Sequence, residues 1–487
     1  MVSTELWPLA KVGGLADMVG SLSGSLRKLG HDVRCALPRY PSVDRALPEG
    51  ARVVSRRKVP LALHDGAIEV DLEWVEAEGL SLLLVDHEIF RRDGIYDDPV
   101  SRRGYADNGR RWAVFCRGVH ASVGLDGWVP EIVHGHDHHA GLLMGLLRWL
   151  APPGGLPRNP ATVFTLHNVG YQGIEPPSWI IDSSLPGEMF DPDGPLHFQG
   201  KANLMKIGIQ AADRLTTVSP RYAREISTSE EFGEGLTEDL ASRASDLTGI
   251  LNGIDTEVWD PERDPYLPFH YSAVRPANKA GNRAALRNEM KLAATSKPGP
   301  LLAMVSRLTS QKGLDILLPA MGSILAGGAQ MVLLGSGEER YESALKEMES
   351  RHEGRFSVRL GFDEGLAHRI EAGADIFLVP SRYEPCGLNQ MYSLRYGTVP
   401  VVRSVGGLAD TVVDLDQDPK RANGFVFEPY QEAQLLRAVE RAVEAWRNRK
   451  LWKELMLRGM SADFSWERSA RLYLQVYEKA VARARGS

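Results

Sequence analysis

The side chains in this sequence that can handle charge gather just after short apolar runs. In Ser381-Arg382-Tyr383-Glu384-Pro385-Cys386-Gly387-Leu388-Asn389, one carboxylate sits in a loop. The apolar run Ile376-Phe377-Leu378-Val379 stops at Pro380, and a helix is expected to open near Leu388. A carboxylate there can hold sugar hydroxyls, or it can simply cap the helix; local pattern alone leaves both readings open. Arg307 and Lys312 follow Leu301-Leu302-Ala303-Met304-Val305, and two cations so close suit a diphosphate, whose charge grows on a leaving group. Lys11 precedes Gly13-Gly14, where unpaired amides and the helix dipole can hold an anion, or where the chain merely turns tightly beside a solvated lysine.

Histidines recur in the same way. Ile132-Val133-His134-Gly135-His136-Asp137-His138-His139 and Thr162-Val163-Phe164-Thr165-Leu166-His167-Asn168 each read as a strand delivering imidazoles to a loop. So many donors invite a metal. However, Ala140 to Leu150 is plain apolar helix and no cysteine completes a tetrahedral set, so no metal is expected. Gly337 ends another strand, and Phe362 offers a ring to a base.

The elements that position these residues repeat as strand and helix. Ordinary hydrophobic (43%) and charged (25%) content over 487 residues indicates a globular protein with large cores. A net charge of -6 without a long basic tract argues against nucleic acid as a partner. No apolar run is long enough to span a membrane, and the start has no signal-peptide core. Three cysteines, Cys35, Cys116 and Cys386, fit a reducing compartment, so a cytoplasmic location is expected.

The βα pattern runs twice, separated by a stretch containing Pro261, Pro265, Pro268 and Pro276 that reads as an interdomain hinge. Two Rossmann-like domains result, an α/β architecture. The opening strand is short, with only Val2-Ser3-Thr4 extended. Gly13-Gly14-Leu15-Ala16-Asp17 recurs as Gly406-Gly407-Leu408-Ala409-Asp410, so each half is expected to offer a helix start to a shared anion.

These segments together resemble bacterial glycogen synthases and plant starch synthases. The likeness rests on Lys11 to Asp17, His136-Asp137, His167-Asn168 with Tyr171-Gln172-Gly173, Asn252-Gly253-Ile254-Asp255, Ser306-Arg307-Leu308 with Gln311-Lys312-Gly313, Glu384 to Leu388, and Gly406 to Asp410. It spans nearly the whole chain in order. The resemblance implies a GT-B fold: two facing Rossmann-like domains with a cleft between them and a C-terminal helix crossing back to the first. The domains would be 1–255, completed by 464–487 and lying on the acceptor side, and 256–463, binding the nucleotide sugar.

It further implies retaining transfer of glucose from ADP-glucose to the non-reducing 4-hydroxyl of an α-1,4-glucan, glycogen or a maltooligosaccharide, without metal or other cofactor. The implied catalytic residues are Lys11, Asp137, His167, Arg307, Lys312 and Glu384. Donor contacts fall to Gly13, Gly14, Asn252, Gly337, Phe362, Cys386, Gly387, Leu388 and Asn389, and acceptor contacts to Glu5, Tyr96, Asn168, Tyr171 and Gln172. Phe362 stands where the family usually has tyrosine, and Asn389 where many bacterial members have threonine. UDP-glucose as donor, or glucan binding without catalysis, are the competing readings.

Overall fold

In the first half of the chain, β-branched and leucine-rich runs between glycines and prolines form strands, and amphipathic stretches return across them. The computed structural model describes residues 1–63, 65–77, 79–152, 156–294 and 299–486. The chain divides into two units, Met1–Gly253 with Trp466–Ser487, and Ile254–Ser465.

In the first unit, Cys35–Pro38 (β1), Arg52–Leu63 (β2), Gly66–Ala77 (β3) and Leu80–Asp86 (β4) lie in the order β1-β4-β3-β2. Ile132–His136 (β5) and Ala161–Leu166 (β6) continue across Arg214–Thr217 (β9) to Leu247–Gly249 (β10), all parallel. Ile174–Glu175 (β7) and Ala202–Asn203 (β8) form a separate antiparallel pair. The opening segment fuses the two main groups into one sheet. Val2 N donates to His134 O at 2.8 Å, while Ala36 N donates to Met1 O at 2.8 Å. The short first strand is therefore a bridge bonded on both sides, between β1 and β5.

The helix Gly14–Lys28 buries Leu15, Val19, Leu22 and Leu26, the spacing the sequence predicts. The amphipathic helix that carries Trp112 runs from Asn108 to Ser122. In its first turn Arg111 is fully buried, donating to Ile95 O and Asn108 Oδ1. The last helix, Trp466–Arg485, packs on the helix Gly14–Lys28 and on β5, β6 and β9. Ser469 Oγ donates to Leu251 O, and Tyr477 OH meets His134 Nδ1 at 2.8 Å.

The second unit is a six-stranded parallel sheet of Leu301–Leu308 (β11), Gln330–Gly337 (β12), Phe356–Leu360 (β13), Ile376–Val379 (β14), Val399–Arg403 (β15) and Phe425–Phe427 (β16). Their order is β13-β12-β11-β14-β15-β16. The order reverses between β11 and β14, so their carboxyl ends flank a topological switch point, the usual place for a ligand in such sheets. In the first unit the chain likewise goes to opposite sides of Met1–Ser3, reaching β1 and later β5.

One expectation changes. The proline-rich segment is no free hinge, because it is pinned within the second unit. Asp264 Oδ2 accepts from His368 Nδ1 at 2.7 Å and Tyr396 OH at 2.5 Å, and Trp259 stacks on His368 and Tyr392. Near the end of this unit lie two helices, Glu432–Arg447 and Arg449–Met460, separated at Asn448, which caps the second through Leu451 N. Among the described residues no helix is long and apolar enough to cross a membrane.

Tyr473 is fully buried in the last helix. Tyr473→Ala should remove about 3–5 kcal/mol from the first unit, as other large aromatic truncations do. Native-state hydrogen exchange should show faster exchange in β5 and β6 while β11 to β15 keep their protection.

Candidate active site

In the first unit the site begins where β5 and β6 stop. Asp137, directly after β5, has φ 56° and ψ 180°, a region that L-residues other than glycine rarely occupy. Two bonds hold it there: Asp137 N donates to Thr165 O at 2.9 Å, and His167 N donates to Asp137 Oδ1 at 2.8 Å. Burial pushes its carboxyl up to about 7, with the amides of His167 and Asn168 pulling the other way. A carboxyl at that value can titrate near neutrality.

His167 follows β6, and burial pushes its imidazole down to about 3, so the ring is neutral. His167 Nε2 lies 3.2 Å from Nδ1 of His136, the last residue of β5 and fully buried. His134 uses both nitrogens, on Tyr477 OH and on Thr165 Oγ1. His139 stacks on Tyr96 at 4.9 Å. Among the described residues no three histidine, cysteine, aspartate or glutamate side chains are grouped to hold a metal. The histidine-rich stretch is largely built into the sheet end.

The loop after the opening strand carries Lys11. Its ammonium donates to Asp17 Oδ1 at 2.8 Å and lies 4.7 Å from the Trp7 ring centre. Glu5 is buried: Oε2 accepts from Val12 N at 2.6 Å and Gly13 N at 2.8 Å, and Oε1 accepts from Tyr96 OH at 2.7 Å. Glu5 and Tyr96, expected as acceptor contacts, thus brace this loop from beneath. The Gly13 amide is already spent on Glu5, whereas the Gly14 N–H, in the first turn of the helix, has no partner among the described residues.

The remaining residues of this half divide. Tyr171 is exposed, presenting its ring to solvent. Gln172 is buried, its amide donating to Glu234 O and its oxygen accepting from Asn203 Nδ2. Asn168 Oδ1 accepts from Gly170 N, shaping the loop. Asn252 is buried with Oδ1 unpaired, an acceptor left for a ligand or water.

In the second unit, Lys312 and Glu384 come from the loops after β11 and β14, the two strands of the switch point. Lys312 Nζ donates to Glu384 Oε2 at 2.6 Å, and Ser381 Oγ donates to the same oxygen at 2.9 Å. The pair is largely buried. Gly313, in the left-handed region, allows this approach: a Cβ there would stand 2.0 Å from Pro380 O. Arg307 is exposed and has no ion-pair partner among the described residues.

The Glu384 loop is locked from its far side. Gln390, fully buried, donates to Cys386 O, Gly387 O and Thr411 Oγ1, and Asn389 Nδ2 donates to Val305 O. Cys386 is itself buried, and Leu388 adjoins the start of the helix Asn389–Arg395. The second di-glycine does not act as a mirrored anion cradle. Gly407 N is turned to the Glu384 and Pro385 carbonyls, and a Cβ on Gly406 or Gly407 would fall 2.0 Å from the loop's backbone oxygens. It is a seat for the glutamate loop. Gly337 ends β12 in solvent with its N–H on Glu342, and Phe362 is 87% exposed, free to stack. Gln390, which supports the Glu384 loop in the second unit, is a residue that the sequence reading did not single out.

Residues 1–242 match the starch synthase catalytic domain family, and residues 287–455 match glycosyl transferases group 1. A glycogen synthase of Anaeromyxobacter sp. (strain Fw109-5) is 45% identical over 484 residues, 99% of each chain. The chain belongs to the glycogen synthase family. It is a glycosyltransferase with the GT-B fold. The catalytic domain of starch synthase IV from Arabidopsis thaliana, bound to ADP and acarbose, superposes with a TM-score of 0.89 at 33% identity, covering 99% of each chain. Sucrose-phosphate synthase from Thermosynechococcus elongatus shares the fold, with a TM-score of 0.60 at 17% identity over 99% of this chain and 98% of that one.

The raised carboxyl of Asp137 gives a pH signature in this glycogen synthase homologue. An unfolded aspartate titrates near pH 4, the folded one at about 7. Between these values the unfolded chain releases the proton first, so wild-type stability falls as pH rises from about 4 to about 7 and the loss is complete above. Asp137→Asn lacks this term. Its stability relative to wild type should climb across that window and level off above pH 7 in urea titrations; a flat difference would show an ordinary carboxyl.

Proposed function

We propose that this protein transfers glucose from ADP-glucose to the non-reducing 4-hydroxyl of an α-1,4-glucan, retaining the anomeric configuration. The observation that carries the reading is the buried Lys312–Glu384 pair at the switch point of the second sheet, in a chain alike over its full length to glycogen synthases. The ADP and acarbose bound to the Arabidopsis thaliana starch synthase IV domain support an adenine nucleotide donor and a glucan acceptor.

In this reading Arg307 and Lys312 hold the diphosphate and stabilise the charge that grows there as the bond from the anomeric carbon to the phosphate oxygen breaks. Lys11 and the Gly14 amide add positive potential. The Phe362 ring stacks on adenine, with Gly337 beside the nucleotide. Glu384 accepts from donor-sugar hydroxyls, with the Cys386 to Asn389 backbone nearby. Asp137 and His167 meet the glucosyl group, and Asn252 Oδ1 accepts a bond there. The acceptor oxygen attacks the face that the diphosphate leaves, through an oxocarbenium-like state, and its proton passes to the leaving phosphate. No second flanking carboxylate is needed, unlike a double-displacement glycosidase. The cations supply the charge, so the proposed reaction takes no metal. Acceptor contacts fall to Tyr171 and Asn168, on a loop braced by Gln172, with Glu5 and Tyr96 acting through the Lys11 loop. Three buried free cysteines fit a cytoplasmic location.

Transfer of labelled glucose from ADP-glucose to glycogen tests the reading, and equal or better use of UDP-glucose would overturn the donor assignment. Lys312→Ala should lower kcat by about 100- to 1,000-fold, as loss of one transition-state charge contact does elsewhere. A near-normal rate would remove Lys312 from the mechanism. Glu384→Gln should abolish most transfer yet bind ADP about fivefold more tightly by calorimetry, since Lys312 no longer shares its charge with a carboxylate.

A further inference from the structure

His136 has no part in the proposed chemistry, yet it is fully buried against a residue that does. It ends β5, beside Thr165 of β6 in the parallel register, and its Nδ1 lies 3.2 Å from His167 Nε2. The rings are 5.4 Å apart between centroids. On its other side His136 packs against the His134 ring at 4.1 Å, and His134 is held at both nitrogens by Tyr477 OH and Thr165 Oγ1. The imidazole of His136 therefore has little freedom to turn.

Only one proton can lie between two neutral imidazoles. Burial drives both rings to the neutral form, so exactly one of the facing nitrogens donates. If His167 donated, His136 would be left with its remaining N–H at Nε2, which is buried and has no partner. If His136 donates from Nδ1, only a lone pair is left bare at Nε2. Orphaned buried N–H groups are the rarer of the two in folded proteins. The second arrangement also protonates His167 at Nδ1, the nitrogen that has no partner among the described residues.

We propose that His136 is a positioning residue: its Nδ1–H bond to His167 Nε2 fixes the tautomer of His167, so that His167 presents Nδ1–H as a hydrogen-bond donor to a substrate oxygen. The substrate class is a hexosyl group with hydroxyl or ring oxygens able to accept that bond. This rests on the reading that His167 meets the glucosyl group, but the tautomer can be measured without it.

Long-range nitrogen–proton correlation spectra of histidine-labelled full-length protein, assigned with His167→Gln, should show His167 protonated at Nδ1 in the absence of substrate. His136→Leu should shift that signal toward the Nε2-protonated form. His136→Asn, whose side-chain amide nitrogen stands close to where Nδ1 stood, should restore it, whereas His136→Gln, reaching to the Nε2 position, should not. Transfer from ADP-glucose should follow the same order, with kcat about 10- to 100-fold lower for His136→Leu, on the scale of losing the partner that orients a functional histidine, and largely rescued by His136→Asn. Nε2 protonation of His167 in the wild-type protein, or an unchanged signal in His136→Leu, would overturn the proposal. A shifted tautomer with undiminished kcat would uphold it and count instead against His167 at the glucosyl group.

Discussion

The bond from His167 N to Asp137 Oδ1 ties together the ends of two parallel strands, and much of the first unit's chemistry depends on it. Parallel strands stop with unpaired backbone groups that something must satisfy. Here a carboxylate accepts one of them while its own amide donates back to Thr165 O, so Asp137 and His167 hold each other in register. That reciprocal pair is what sustains a backbone conformation at Asp137 that would cost of the order of 1–3 kcal/mol elsewhere. Burial raises that carboxyl although the His167 amide bond pulls it down.

The second unit solves the equivalent problem with an ion pair. The loops after β11 and β14 both lie at the reversal of strand order, and each carries one charge of the Lys312–Glu384 pair. Neither loop holds its shape alone. Gly313 brings the lysine turn against Pro380, Gln390 gathers the carbonyls of Cys386 and Gly387, and the glycines at 406 and 407 let the next helix come up beneath. Small residues and one buried amide thus set where two charges can meet.

This division explains what the sequence disclosed. Charged residues after apolar runs were legible because strand ends and loop chemistry leave a local pattern, and the order of strands and helices marked two Rossmann-like units. The family likeness added the activity. What stayed hidden was non-local. Val2 could not be read as a central bridge, because its partners Ala36 and Gly135 are far along the chain. Glu5 read as a ligand contact although it is spent on the Val12 and Gly13 amides, and the prolines after Ile254 read as a hinge although Asp264 and Trp259 anchor them. Gly406-Gly407 looked like Gly13-Gly14, yet the two differ in what lies against them, and no repeat in sequence reports that.

The charged groups of each unit also set terms for binding. In the first unit Lys11 is on Asp17 and the Gly13 amide is on Glu5, and in the second unit Lys312 is on Glu384, so each of these positive groups already faces a carboxylate of the protein. An entering ligand gains only the difference between its own charge and the one it displaces. A neutral glucan displaces nothing at these positions, whereas a diphosphate carries enough charge to draw a lysine from a single carboxylate. Under the proposed reading, Arg307, exposed and unpaired among the described residues, is the group that meets such an anion before any exchange occurs. Under the proposed reading, a lysine drawn to the phosphate leaves Glu384 with Ser381 and a free oxygen for a sugar hydroxyl. That reading couples diphosphate and sugar recognition through one ion pair: the charge that the phosphate takes is the charge that the carboxylate gives up.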